Sequence, residues 1–242
     1  MIKTMKEQTL EFYERVRHDI KQNSKFRHAN LQVSRKYGCD VAQSAIDGDI
    51  EAMLEIGTNC LYAIGVCDNA FSALKMELAA IGLYWLNEVT LYDHPNNRYN
   101  RRMAAEAYEY LVSAYVDINL PIHHLLCRDY VQEVIPQNVD KLKHYLWQGA
   151  QYSEICAYRL VAHYLEGIEE KQNVKLACKH WQRILPLVVN THINKDTSMP
   201  MFLLEAPDLY CYEYLSEVFE KVGAISTARE IDELLQKIRD KN

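Results

Sequence analysis

The sequence predicts an all-α fold, an α-α superhelix of stacked antiparallel helix pairs with about ten helices. Three observations carry this. Apolar residues recur three or four apart through nearly every segment, the period of a helix with one buried face. Glycine and proline are scarce, at 8 and 6 in 242 residues, too few for the turns of a sheet-rich chain. A cadence of small, large and aromatic residues also returns along the chain, as helical hairpins require where they pack closely.

Taken in order, residues 4–22 form the first helix, with Phe12, Tyr13, Val16 and Ile20 on one face. A polar stretch, Asn23 to Asn30, leads to a short piece, Leu31 to Tyr37, stopped by Gly38. Residues 1–40 thus read as N-terminal capping helices. Val41 to Asp47 comes next, then a turn at Gly48-Asp49 and a helix from Ile50 to about Ala63 with Asp49 as its N-cap. Ala70 to Leu91 is one long helix, on the spacing of Phe71, Leu74, Leu78, Ile81, Trp85 and Val89, and residues 93–97 break it. Further helices are expected at Arg101–Asp117, Ile122–Val134, Val139–Gln151, Ser153–Glu166 and Val174–Val189. Pro121 and Pro136 mark junctions, and Pro186 should kink or end its helix. Residues 190–207 read as a long loop carrying the exposed run Met199 to Leu204. A last pair, Asp208–Val222 and Ile225–Lys241, fills 208–242. No shift in composition splits the chain, so 1–242 reads as a single helical-repeat domain.

The repeating cadence is explicit. One copy runs Ala45-x-x-Gly48-Asp49-x-x-Ala52-x-x-x-Ile56-Gly57, then Cys60. Another runs Tyr145-x-x-Gln148-Gly149-Ala150, then Cys156-x-x-x-Leu160-x-x-x-Tyr164-x-x-Gly167, then Ala177 and Trp181. Ala107-Leu111-Tyr115 and Cys211-Leu215-Phe219 repeat its core, the latter followed by Gly223 and Ala228. Small residues let two helices approach, large ones fill the space between successive pairs, and glycine lets the chain turn back. This cadence resembles the Sel-one-like repeat, a relative of the tetratricopeptide repeat. Leu142–Leu185 and Val41–Leu86 are the copies within a helix-pair region spanning 41–189, and Tyr210–Ile238 is more like a plain tetratricopeptide pair. The resemblance implies an adaptor, scaffold or regulator. In bacteria it also extends to secretion-linked proteins and toxin antidotes.

The chemistry of the side chains points away from catalysis. Zinc needs four converging ligands. His123 with Cys127, and Cys178 with His180, are only pairs, so no metal site is expected. The 7 cysteines have no nucleophile signature, and Cys60, Cys156 and Cys211 fall at small-residue packing positions, which reads as core thiols. Glu166, Glu169 and Glu170 with Lys171, and Glu213, Glu217 and Glu220, read as solvated charged faces rather than acid–base pairs. No glycine-rich phosphate loop occurs, so no cofactor is expected.

A net charge of −6 makes nucleic acid a poor partner. Arg98, Arg101 and Arg102 with Tyr99 form a basic–aromatic cluster, read as a helix-end surface. No run of 18 apolar residues exists, and the first residues lack a secretory leader, so no membrane and a cytoplasmic location are expected.

What remains is a protein partner, with the chain itself a monomer or weak dimer. Tyrosine is abundant, at 17. Rings placed close together on one helix cannot all reach one core. Tyr108 and Tyr115, and Tyr210, Tyr212 and Tyr214, are therefore candidate contact residues, together with Glu166, Glu169, Glu170, Glu213, Glu217 and Phe202. The expected function is a non-catalytic, protein-binding inhibitor, such as a bacterial immunity protein neutralising a cognate secreted toxin. A basic toxin domain would suit the acidic chain by charge steering. A general adaptor in a signalling or secretion pathway is the alternative.

Overall fold

A computed structural model describes residues 3–21, 40–67, 72–92, 98–115, 134–167, 171–194 and 209–241. They are all-α, and no strand occurs among the described residues. The helices are α1 (Met5–Lys21), α2 (Asp40–Ile46), α3 (Ile50–Val66), α4 (Ser72–Leu91), α5 (Arg98–Tyr115), α6 (Val139–Gly149), α7 (Glu154–Glu166), α8 (Val174–Val188), α9 (Leu209–Lys221) and α10 (Ile225–Lys241). A π-helical turn, Val189–Asn194, continues α8. The expected segments Leu31–Tyr37, nearly all of Ile122–Val134, and Met199–Leu204 lie outside the described residues. Contacts group the chain into two compact units, Met1–Leu142 and Lys143–Asn242.

In the first unit each helix packs on its chain neighbour, α2 on α3, α3 on α4 and α4 on α5, while α1 rests on α2 and α4. The turn between α2 and α3 shows why the sequence reverses there. Gly48 has φ 101°, which a side chain would strain. Its N–H donates to Ala45 O at 3.2 Å, and the Asp49 N–H donates to Ser44 O at 3.0 Å. These bonds form a Schellman motif, closing the open carbonyls of α2. The Asp49 carboxylate then accepts from the N–H groups of Glu51 and Ala52, so the same residue starts α3. Lys221, Val222 and Gly223 end α9 in the same way, with Gly223 at φ 82° and Ala224 N donating to Phe219 O at 2.8 Å.

The α3–α4 contact is unusually close. A Cβ built on Gly57 would stand 2.6 Å from Leu86 Cγ, and one on Gly82 would stand 3.1 Å from Gly57 O. The neighbours run in opposite order along the two helices (Gly57 meets Leu86, Cys60 and Leu61 meet Gly82), so the helices are antiparallel. Helix α4 lies against α1, α3 and α5 and accordingly buries Leu78, Ile81, Trp85, Leu86 and Val89. Each large apolar side chain taken out of water stabilises by about 1.5–3 kcal/mol. Trp85 is fully buried, and its indole N–H donates to Thr9 Oγ1 on α1 at 3.0 Å, which satisfies its one polar atom.

The second unit contains the pairs α7–α8 and α9–α10, with α7 also meeting α9. Its core gathers Tyr158, Val161, Leu165, Trp181, Ile184, Tyr212, Leu215, Phe219, Ile231 and Leu235. The Trp181 indole N–H donates to Glu230 Oε2 on α10 at 2.9 Å, as Trp85 does to Thr9 in the other unit. Ser153 caps α7 through Cys156 N, and Asn173 caps α8 through Leu176 N. Pro186 does not stop its helix. The α-helix runs to Val188 and passes into the π turn, so residues 190–194 of the expected loop are helical. Proline removes one N–H and crowds the preceding turn, which favours a local change of helical pitch.

The recurring cadence occupies equivalent places in three helices. Counting from the residue before each helix start, Ala52, Cys156 and Cys211 fall three on, and Ile56, Leu160 and Leu215 fall seven on. All six are buried. The cysteine Sγ atoms there are packing groups, and burial pushes the Cys60 thiol far above its usual range.

Candidate functional site

Two features of the second unit bring polar side chains together. The first lies inside it. Glu154, in the first turn of α7, is 4% exposed. Its position is favourable electrostatically, since a carboxylate at a helix N-terminus meets the positive end of the dipole. Tyr212 on α9, fully buried, donates its O–H to Glu154 Oε1. The π turn brings His192 Nε2 to 3.4 Å from the same oxygen, and its ring meets Tyr212 edge-on at 6.0 Å. Burial pushes the Tyr212 phenol well above its ordinary value, and the Glu154 charge adds to the effect. A phenol held neutral in this way is a fixed donor and ties α7, α9 and the π turn together.

The second feature is on the surface. Trp147 of α6, Ala150 and Gln151 of the turn after it, Ala157 and Leu160 of α7, and His180, Arg183 and Ile184 of α8 line a small cleft. Trp147 is 49% exposed, whereas Trp85 and Trp181 are fully buried. His180 is 8% exposed and stacks on Tyr164, with ring centroids 5.4 Å apart and planes 10° from parallel. Burial lowers its pKa, and the neighbouring Arg183 and Lys179 lower it further, so the imidazole is neutral at pH 7. The cleft thus has aromatic and aliphatic walls, a neutral imidazole and one cationic rim group.

The sequence-derived contact residues are scattered by the structure. Tyr108 and Tyr115 are buried in the first unit, at 8% and 5% exposure, and Tyr212 is in the core of the second. These three rings pack helix on helix instead of facing solvent, because their helices have a neighbour on that side. The Tyr115 hydroxyl oxygen accepts from Lys141 Nζ at 3.2 Å. Tyr210 is exposed. Tyr214 is half-buried and donates to Glu166 Oε1 at 2.6 Å. Glu166 is partly buried, and desolvation raises its pKa, more than the Tyr214 bond lowers it. Glu213 pairs with Arg239 on α10, and Glu217 lies 3.7 Å from Lys221, both at the surface. Such exposed pairs contribute little stability. Glu169, Glu170 and Phe202 lie outside the described residues, as do His123 and Cys127. Cys178 Sγ accepts from Thr227 Oγ1 at 3.5 Å, and His180 is engaged by Tyr164. No group of three metal-ligating side chains converges among the described residues.

Sequence reasoning did not find the Glu154–Tyr212–His192 cluster or the role of Trp147. Glu154 looks like an ordinary first-turn acid, and only the turn of α8 into a π-helix brings His192 to it. Trp147 did carry a signal, since it falls on the polar flank of an otherwise amphipathic α6.

The fold and this surface define a class, a protein of packed helical hairpins with an aromatic-walled surface cleft. No family model, no curated protein and no solved structure matches the chain. No helix among the described residues is long and apolar enough to cross a membrane.

Proposed function

We propose that this chain is a non-catalytic protein-binding protein. The observation that carries the reading is Trp147, a large ring 49% exposed beside a cleft in a unit whose other tryptophan is fully buried. Tryptophan left in solvent forgoes a large hydrophobic gain, and aromatic side chains are enriched at the centres of protein interfaces. The small–large–aromatic hairpins supply a rigid frame, and their likeness to Sel-one-like and tetratricopeptide repeats supports the same reading. More specifically, the chain is a cytoplasmic inhibitor of a partner, such as an immunity protein neutralising a cognate secreted toxin. The net charge of −6 favours long-range attraction to a basic toxin domain.

The test is co-expression of the tagged full chain with the products of neighbouring genes, followed by purification and a growth assay. A single stoichiometric partner that survives high salt, and whose toxicity the chain relieves, supports the inhibitor. Several weak, salt-sensitive partners favour an adaptor. Absence of any protein partner together with saturable binding of a metabolite overturns the protein-binding reading.

A further inference from the structure

The surface that begins at the cleft continues along α8 as a stripe of cations. Lys175, Lys179 and Arg183 are spaced four apart and all are exposed. That spacing sets successive charges about 6 Å apart along the axis, on one flank of the helix. Lys171 stands one further step before the helix, also exposed. From Lys171 to His192 the sequence contains no Asp or Glu, so α8 has no acidic residue in its first turn. None of the three helical cations forms a hydrogen bond or ion pair among the described residues. The nearest carboxylate joined to α8, that of Glu230, is engaged by the side chains of Trp181 and Gln182.

This arrangement does nothing for the helix. Cations near a helix N-terminus oppose the dipole, and like charges four apart repel each other. In a chain with a net charge of −6 it leaves a local positive strip that ends in an apolar cleft. Surface charge is largely screened beyond about 8–10 Å, so a segment seated on the strip feels these nearby cations more than the net charge of the whole chain.

We infer that α8 and the Trp147 cleft form a docking surface for an acidic protein segment carrying one aromatic side chain. This rests on the protein-binding reading and deepens it by giving the chemistry of the segment bound. The carboxylates of the segment lie along Lys175, Lys179 and Arg183. Its ring enters between Trp147 and Ile184, over the neutral His180. Charge complementarity selects the occupant. A nucleic acid also carries anions, yet the strip spans only about 12 Å. It ends against Leu160 and Ile184, apolar walls that a phosphate backbone cannot use.

The full chain tests this directly, because Trp147 is the exposed member of its three tryptophans and reports on the cleft. The probe is the capped peptide Asp-Glu-Glu-Phe-Glu-Asp, followed by tryptophan emission and calorimetry. Saturable binding is expected, weakening at least about fivefold from about 0.05 M to about 0.3 M salt. Replacing the peptide's Phe by Ser, or substituting Lys179→Glu with Arg183→Glu, should each weaken it about tenfold or more. These side chains are exposed, so the substituted chain keeps its helical circular dichroism and melting temperature. No saturable binding of the peptide overturns the proposal. So does tighter binding of a short oligothymidylate than of the peptide, which assigns the strip to nucleic acid. A protein partner that binds the charge-reversed chain as tightly as the original overturns this surface and leaves the protein-binding reading standing.

Discussion

Substituting alanine for Gly57 probes the close crossing of α3 and α4. The new Cβ would stand 2.6 Å from Leu86 Cγ, 2.8 Å from Leu86 Cδ2 and 3.2 Å from Leu86 N. Atoms at ordinary contact are 3.5–4.0 Å apart, so α3 and α4 must separate by about 1 Å or Leu86 must change rotamer. Leu86 is fully buried, which leaves its side chain no space to swing into. Overpacking of this kind costs about 1–3 kcal/mol, and the 2.6 Å approach places it near the upper end. Alanine is a better helix former than glycine by about 1 kcal/mol, which offsets part of that. The net expectation is a loss of about 2 kcal/mol. For a domain of this size that lowers Tm by about 4–8 °C. Urea unfolding followed by circular dichroism measures it. The decisive control is Leu86→Ala as background. There most of the obstruction is gone, and Gly57→Ala should become neutral or stabilising. An equal loss in both backgrounds, or a gain in the original chain, would refute the steric argument.

Two further substitutions address the second unit. Tyr212→Phe removes the O–H donated to the buried Glu154 carboxylate and should destabilise by about 2 kcal/mol, since hydrogen bonds to charged groups contribute about 1.5–3 kcal/mol; unchanged urea stability at pH 7 would remove the cluster's structural role. Glu166→Gln concerns pH. Burial raises the folded-state pKa of Glu166 above its usual value of 4.5, so the folded state holds its proton more tightly than the unfolded state. Its contribution is therefore fullest below about pH 4.5 and is lost as pH rises through the raised pKa. Glutamine still accepts from Tyr214 and carries no charge to desolvate. It should raise Tm at pH 7 by on the order of 1–2 °C, with the gain vanishing toward pH 4. A Tm that falls at pH 7 would show that the ionised carboxylate is favourable where it stands.

The helices were legible because their signals are local. The apolar spacing of α1 and α4, the Asp49 cap, the Gly48 and Gly223 stops and the final helix from Ile225 to Lys241 stand as the sequence indicates. Each depends on residues a few places apart, and the energies involved are set by backbone geometry. The small residues at Ala52, Cys156 and Cys211 were legible for the same reason.

The candidate site was legible only in part. A basic run at spacing four can be read from Lys171, Lys175, Lys179 and Arg183, but not that the three on α8 form no ion pair among the described residues. The tyrosines were misleading. A ring on a helix flank looks free until a second helix covers it, as happens to Tyr108, Tyr115 and Tyr212 and not to Tyr210.

The sequence by itself determined the all-α class, the limits of most helices and the chemistry of their turns, since these follow from neighbours along the chain. Tertiary structure alone decided which rings are core. It also decided that α3 and α4 meet at Gly57 and Gly82, and that a π turn after Pro186 carries His192 to Glu154. Those outcomes join residues 25 to 60 positions apart, roughly, and burial between distant segments depends on how whole helices pack.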